Sequence, residues 1–373
     1  MPRGSPVPAT EVDVVIAVHD PRRAIARAVG SVLTSSGVAR VLVVCHNTPV
    51  DGIAAGLGRI ADDRRVRLEP FDDGIGSPAG PFNRGLELAT ARFTAIMGSD
   101  DELAEGAIDA WIATADRHGA DVVIPAMRYA GGRRVPTPPT RPGRATRLDG
   151  VRDRLAYRTA PIGLVARERF GALRFTPGLA TGEDLAYSTR LWFSGAGIAR
   201  VGSGAEYVIH DDAVRVTFTH RPIEDELAAV TGLVSDEWVT ALPSRSREAL
   251  AVKLWRISVF GAVHHRSGNW TPDDRRALAA VADAIEGLAP GAVAVLSRAE
   301  LALRRAIADP TASDDDLDAR SRARRRFATP ASLIPANPLR VAAREAPLRF
   351  AFATWLAGRE GGRVAKPEAG PTL

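Results

Sequence analysis

Phe93-Thr94-Ala95-Ile96-Met97-Gly98-Ser99-Asp100-Asp101 is an apolar run that ends on two carboxylates. Its first five residues predict a buried strand, and the chain is expected to leave the sheet at Gly98. Carboxylates at the carboxyl end of a strand add little stability. They are well placed to hold a hard divalent cation beside a phosphate, because ligands of open α/β sheets bind at that edge. The same aspartates would also serve as the N-cap of a helix starting near Leu103, and spacing alone does not choose between the two.

Upstream, Asn83-Arg84-Gly85 reads as a turn and a short helix leading into this strand. Residues 12–18 form an apolar run interrupted by Asp13, and Asp20-Pro21 reads as an N-cap with proline at the first helical position. Ile25, Val29, Val32 and Leu33 recur at helical spacing up to Gly37, a fitting terminator. A strand over 41–44, a helical stretch over 53–60 and a strand over 66–68 repeat the alternation expected of a mostly parallel sheet.

Downstream, Leu103, Ala107, Ile108, Trp111, Ile112 and Ala115 share one helical face, and residues 121–124 read as a strand. Residues 128–150, with Gly131-Gly132 and six arginines, suit an exposed loop near a site. Helical character at 184–192 and strand character at 207–210 and 214–218 follow. From Pro222 the chain reads as helical. Leu250, Leu254, Ile257 and Gly261 mark one face, Thr271-Pro272-Asp273-Asp274 starts another helix, and Ser297 with Glu300 forms a capping box. The acidic then basic run from Asp314 to Arg326 reads as a solvated helix or linker.

The 373 residues are 45% hydrophobic and 25% charged, which supports a sizeable core and excludes global disorder. A formal charge of +5 and a pI near 9.9 favour anionic partners such as a nucleotide, a phospholipid surface or nucleic acid. Nucleic acid is set aside, because no Tyr or Phe interleaves Arg320 to Arg326 as a stacking platform would require. Cys45 stands alone, so neither an intrachain disulfide nor a cysteine zinc site is available, and a reducing compartment fits. Residues 1–10 contain no apolar h-region, and no apolar run approaches the roughly 18–20 residues that span a bilayer. A cytoplasmic location is expected. Near the C-terminus, Arg340, Arg344 and Arg349 flank Leu348, Phe350, Phe352, Trp355 and Leu356, which fits either a peripheral contact with the inner face of the membrane or packing on the core.

Four segments, in this order, resemble the family 2 glycosyltransferases of the GT-A fold. Val14-Val15-Ile16-Ala17-Val18-His19-Asp20 is similar to the family's opening strand and nucleotide-contacting turn. Ser77 to Leu86 is similar to its Ala-Arg-Asn-x-Gly helix, and Gly98-Ser99-Asp100-Asp101 to its Asp-x-Asp metal motif. Gly182-Glu183-Asp184 is similar to its Glu-Asp motif. The resemblance spans about residues 12–220 and implies an α/β GT-A sandwich with a mostly parallel sheet over 1–220. A helical domain over 221–357 and a disordered tail over 358–373 complete the expected organisation.

By the same resemblance the activity is a metal-dependent inverting transfer of a sugar from a nucleotide diphosphate sugar, a UDP-sugar above all. The acceptor is a hydroxyl of a cell-surface glycan or wall polymer. A divalent cation, Mn2+ or Mg2+, would be held by Asp100 and Asp101 with His210 nearby. Asp184 would be the base and Glu183 its support. Val18, His19, Asp20, Asn47, Asn83, Arg84, Ser99, Arg215 and Thr217 would contact the donor. Structural readings stand beside these: Glu183 and Asp184 suit the first turn of a helix, His210 a structural position, Arg215 a surface charge, and Asn83 with Arg84 a helix cap.

Two departures from the family pattern stand out. Cys45-His46-Asn47-Thr48 replaces the usual Asp-Asp-Gly-Ser, leaving Asn47, Asp51, Asp72 or Asp73 to read the base or ribose. Gly98 replaces the first Asp of Asp-x-Asp. A catalytically inactive relative that binds nucleotide or glycan as a scaffold is therefore the rival reading. The oligomeric state, including a homo-oligomer, is left open.

Overall fold

The computed structural model describes residues 10–36, 38–135, 140–211, 221–266, 268 and 270–360. Gly37, Arg215, Thr217, the strand expected over 214–218 and most of the tail expected from 358 lie outside them.

Seven strands form the main sheet. In spatial order they are β3 (Val66–Phe71), β2 (Ala39–His46), β1 (Val12–Val18), β4 (Phe93–Gly98), β8 (Leu164–Ala166), β6 (Val122–Ile124) and β9 (Ile198–Arg200). The first four are mutually parallel, and only β8 runs against its neighbours. Such strands read as nearly unbroken apolar runs because both faces are covered. Val12, Val14, Ile16 and Val18 of β1 pack with Ile25 and Val29 of α1 (Ile25–Leu33), Ile53 of α2 (Val50–Leu57) and Trp111 of α4 (Ala107–His118). On the opposite face Val15, Leu42 and Val44 meet Phe82 and Leu88 of α3 (Ala79–Leu88). Burying each of these side chains stabilises by about 1.5–3 kcal/mol. Next to them, Val122, Ile124 and Val165 pack under Leu191 and Trp192 of α6 (Leu185–Phe193), and α5 (Arg167–Phe170) follows β8.

The charge within β1 is fully paired. Asp13 is wholly buried, yet its carboxylate accepts from the backbone N–H groups of Thr90 and Ala91 at 2.6 and 2.8 Å and from the Arg40 guanidinium at 2.7 Å. Those bonds offset its desolvation and tie the turn before β4 to β1.

A second sheet of three strands, β5 (Glu102–Leu103), β10 (Tyr207–Ile209) and β7 (Met127–Tyr129), lies beyond the end of β4. Beyond it the chain is helical: α7 (Ile223–Glu226), α8 (Ala228–Ser235), α9 (Glu237–Thr240), α10 (Ser244–Lys253), a π-helical stretch Leu254–Val259, α11 (Phe260–Arg266), α12 (Pro272–Leu288), α13 (Arg298–Ala308), α14 (Asp314–Arg324), α15 (Pro330–Leu333) and α16 (Pro347–Glu360). All of these but α15 and α16 share a separate core that also takes in Leu185 of α6. The capping boxes read at Thr271–Asp274 and Ser297–Glu300 are both formed.

Several local expectations are corrected. The helix expected directly after Asp20-Pro21 starts at Ile25, because the Asp20 carboxylate accepts from the backbone and side chain of Arg22 and closes a turn instead. Leu103 belongs to β5, and α4 starts after Gly106, whose left-handed φ of 68° breaks the backbone there. Asp100 and Asp101 are therefore no helix cap. Ile257 is 37% exposed while Leu250 and Leu254 are buried, since the wider π turn rotates it off their face. Asn83-Arg84-Gly85 lies inside α3 rather than in a turn, and so caps nothing.

Gly85 is there for space. A Cβ at this position would lie 2.1 Å from Val15 Cγ1 on β1, so α3 can sit this close only over a glycine. Gly85→Ala is expected to lower unfolding free energy by about 1–3 kcal/mol, the usual cost of overpacking. Urea denaturation at neutral pH reads this directly, and an unchanged midpoint would mean that α3 does not approach β1 so closely.

Candidate active site

The carboxyl ends of β1, β2, β3 and β4 meet along one edge, and four loops leave from it. At the end of β4, Gly98 starts a tight turn through Ser99, which is buried. Asp100 projects beside α1: its Oδ2 accepts from Arg23 Nη1 at 2.6 Å, and its carbonyl accepts from Arg27. Asp101 points the other way. One of its oxygens accepts the Tyr207 hydroxyl at 2.5 Å and the other the His210 backbone N–H at 3.1 Å, while the Tyr207 oxygen accepts the Gly98 N–H at 3.0 Å. Burial, with Asp101 beside it, holds the Tyr207 phenol well above its ordinary pKa, so it remains a donor. Burial likewise pushes Asp101 up, with Asp100 adding to the effect.

This arrangement does not bring the three expected metal ligands together. Asp101 has both oxygens engaged, and the His210 imidazole lies 3.0 Å from Glu102 Oε2. Among the described residues no three His, Cys, Asp or Glu side chains converge as a cation site. Asp100 alone, partly exposed at the sheet edge, fits an ion of the magnesium type, which one carboxylate and substrate phosphate oxygens can hold. The Asp100–Arg23 pair would have to open for it. The missing first aspartate has a steric reason, since a Cβ on Gly98 would come within 2.6 Å of Asp101 Oδ2.

At the end of β2 lies a cleft of about 260 Å3 lined by Asn47, Thr48, Pro49, Val50, Pro70 and Asp72. Asn47, left-handed at φ 50°, accepts from the N–H groups of Asp73 and Gly74 at 3.1 and 3.0 Å, and its amide donates to the Ile75 carbonyl at 3.2 Å. It therefore builds the cleft wall. Asp73 is held 2.9 Å from His46 Nε2, which leaves Asp72, exposed on the cleft, as the free acid; Asp51 is exposed on α2. His19, exposed after β1, is pushed below its ordinary pKa by partial burial and by Arg23, which keeps its imidazole neutral at pH 7. The Val18 side chain is in the core, so only its backbone faces the edge. Asp20 is bound to Arg22.

Asn83 and Arg84 both have partners within the fold. Arg84 turns outward to Glu69 on β3 at 2.6 Å. Asn83 clasps Phe175, donating to its carbonyl at 2.9 Å and accepting from its N–H at 2.8 Å. The next residue, Thr176, donates its N–H to the Glu183 carbonyl at 3.0 Å. Phe175 stacks on Tyr187 with centroids 4.5 Å apart and touches Phe82 at 5.3 Å, so α3, this loop and α6 are one unit. Sequence reasoning missed Phe175, Tyr207, Arg23 and Lys253. A polar tip at the head of the apolar run Tyr207-Val208-Ile209, and a lone lysine within Ala249-Leu250-Ala251-Val252-Lys253-Leu254-Trp255, were the available signals.

The clasp presents Glu183 and Asp184 at the head of α6, after Gly182 in a left-handed conformation at φ 76°. Burial first, and the neighbouring Asp184 second, push Glu183 up to about 7. Burial also raises Asp184, while Lys253 opposes the shift. Two adjacent acids whose surroundings differ suit a proton transfer near neutral pH.

Residues 13–171 match the profile described as Glycosyl transferase family 2. The chain is 32% identical over 114 residues to the succinoglycan biosynthesis protein ExoO of Rhizobium meliloti (strain 1021), a stretch covering 31% of this chain and 32% of that one. It thus matches about a third of the length of this relative. In structure it is similar to S. aureus TarS 1-349 in complex with UDP-GlcNAc, with a TM-score of 0.69 at 16% identity over 85% of this chain and 92% of that one. The UDP complex of the same protein gives 0.65 at 18% identity over 85% and 91%. The fold is therefore GT-A-like, a mostly parallel sheet between helices with a helical C-terminal region, as the resemblance implied.

The raised Glu183 has a consequence for stability. A carboxyl group whose folded pKa lies above its unfolded value favours the native state below about pH 4.5, and that contribution is lost as pH rises through about 7. Glu183→Gln removes the ionisable group. Its melting temperature is expected to exceed that of the wild type at pH 8 and to match it near pH 4.5; an equal difference at both values would refute the assignment.

Proposed function

We propose that this protein is an inverting glycosyltransferase that moves a sugar from a nucleotide diphosphate sugar, a UDP-sugar, to a hydroxyl of a cell-surface glycan or wall polymer. The observation that carries the reading is the pairing, within a family 2 domain, of Asp100 at the strand-end edge with the clasped Glu183–Asp184 turn. The names of the relatives support it: one acts in succinoglycan biosynthesis, and the other is seen with UDP-GlcNAc.

In this reading Asp184 takes the proton of the acceptor hydroxyl as it attacks the anomeric carbon, on the face opposite the leaving diphosphate. Glu183 grips the acceptor or steadies Asp184. Thr48, Asp72 and the backbone of Asn47 hold the nucleoside in the cleft after β2, with His19 neutral beside it. Asp100 would hold a divalent cation, Mn2+ or Mg2+, which supplies positive charge to the departing diphosphate. Arg23 and Arg27 flank that carboxylate and add positive potential to the same edge.

Titration of UDP with and without Mn2+ or Mg2+ tests the site, and a panel of nucleotide sugars screened for hydrolysis names the donor. Metal is expected to tighten UDP binding at least tenfold, and Asp100→Ala to abolish that gain. Asp184→Asn is expected to lower turnover by about 10^2–10^4 while leaving UDP affinity within twofold. Binding indifferent to metal, with no hydrolysis of any donor, would favour the scaffold reading, in which Arg23 keeps Asp100 for itself.

The C-terminal helix supports a peripheral contact with an anionic membrane surface. Its inner side is stapled to the domain, with Glu345 accepting the Tyr157 hydroxyl at 3.2 Å and Phe350 packing on Tyr157 at 5.1 Å. Its outer side carries Phe352 and Trp355, 57% and 51% exposed, and the exposed Leu348 and Arg349. Among the described residues no helix is long and apolar enough to cross a membrane. Vesicles containing phosphatidylserine are expected to retain the protein at low salt, and Phe352→Ser with Trp355→Ser to reduce retention at least fivefold. Failure of wild-type protein to bind at low salt would end the membrane reading.

A further inference from the structure

Of the 49 basic residues in the chain only Lys253 and Lys366 are lysine; the rest are arginine. Lys253 stands in unusual surroundings. It lies at the end of α10, 1% exposed among Leu250, Ala251, Val252 and Leu254, a place where an ammonium group is costly unless it has a partner. Among the described residues the one charge that acts on it is the Asp184 carboxylate at the head of α6.

The helical region touches the same turn a second time. A Cβ on Gly182 would lie 2.9 Å from the Ala229 side chain of α8, and Leu185, next to Asp184, belongs to the core that holds Leu250 and Leu254. Other charges are turned elsewhere. Residues 228–235 of α8 carry no ionisable side chain, and Tyr157 in the short helix Leu155–Tyr157 bonds to Glu345 and Arg256. Arg221 donates to the Ala180 carbonyl, and Arg174 donates to the Gly171 and Leu173 carbonyls. Glu183, on the turn itself, is raised in part by Asp184.

We propose that Lys253 is a positioning residue for the reaction: the helical region contributes its buried ammonium as the counter-charge that keeps Asp184 an oriented carboxylate beside the acceptor hydroxyl. A lysine suits this role better than the arginine used almost everywhere else, because a compact ammonium on a flexible stem fits a closed apolar site that a planar guanidinium fork would not. Burial lowers the Lys253 ammonium to about 8 and Asp184 opposes that shift, while Lys253 in turn opposes the burial that raises Asp184. The α/β domain would then lack a complete base without the helices that follow it. The proposal rests on the transferase reading, in which Asp184 is the base.

Two measurements separate its failure from the failure of that reading. With two lysines in the chain, lysine-selective carbon-13 labelling yields two side-chain signals, and the full-length protein can be titrated without any donor. Asp184→Asn is expected to lower the Lys253 midpoint by roughly one pH unit or more, since an opposite charge at close range shifts a partner by one to three. An unmoved midpoint would overturn the pairing whatever the enzyme does. In the second, Lys253→Met is expected to move the acid limb of kcat/KM for nucleotide diphosphate release upward by roughly one pH unit or more and to lower kcat at least tenfold, with UDP affinity within twofold of wild type. A coincident limb in Lys253→Met would overturn the positioning role; full activity in Asp184→Asn would instead remove the base assignment beneath it. Should Lys253→Met not fold, the lysine titration in Asp184→Asn still decides.

Discussion

One hydroxyl ties the two sheets together. Tyr207 reaches from the three-stranded sheet to the end of β4, donates to Asp101 and accepts from the Gly98 N–H, so the turn that carries Asp100 is held from below. The constraint is strict because the phenol is buried and the carboxylate partly so, and losing the carboxylate would leave the phenol unpaired at a cost of about 1–3 kcal/mol. It also accounts for a sequence oddity. With Asp101 folded back over Gly98, no side chain fits at that position, and the edge is left with Asp100 as its exposed acid.

The opposite wall depends on a comparable device. Asn83 holds the backbone of Phe175 in both directions, and Phe175 fixes Tyr187 by stacking and Glu183 through Thr176. An acidic turn hung in this way has little freedom to drift, which is what proton transfer to a positioned acceptor requires. The helical region closes the arrangement from behind through Ala229, Leu185 and Lys253. Domain boundaries drawn at a single residue miss this, because α6 belongs to both cores.

Positive charge is layered around the edge rather than spread evenly. Arg23 and Arg27 sit at Asp100, and elsewhere arginine closes buried acids: Arg40 on Asp13, Arg141 on Asp153, Arg256 on Glu300. Bidentate guanidinium forks suit such sites, where two carboxylate oxygens must be satisfied together. A chain so rich in arginine can therefore have a basic pI while much of its charge is internal, and the run near Arg320 is paired in part, with Arg320 on Asp316 and Arg324 donating to the Arg256 carbonyl.

The strands and most of the helices were legible in residue order alone, because period and apolar content report burial on one or both faces. So were Asp100, Glu183 and Asp184, since acids after a strand or at a helix head stand out against their neighbours. Residue types did not disclose which way each acid turns. Asp100 and Asp101 are adjacent and chemically identical, and only the arrival of Tyr207, more than a hundred residues later, sends one into the fold and leaves the other at the edge. Asn83 likewise reads as a donor contact until Phe175 is folded against it. The sequence by itself determined the alternation of elements and the acids available to the site; the tertiary structure decided their partners, because hydrogen bonds and charge pairs between distant residues are chosen by packing and carry no local periodicity.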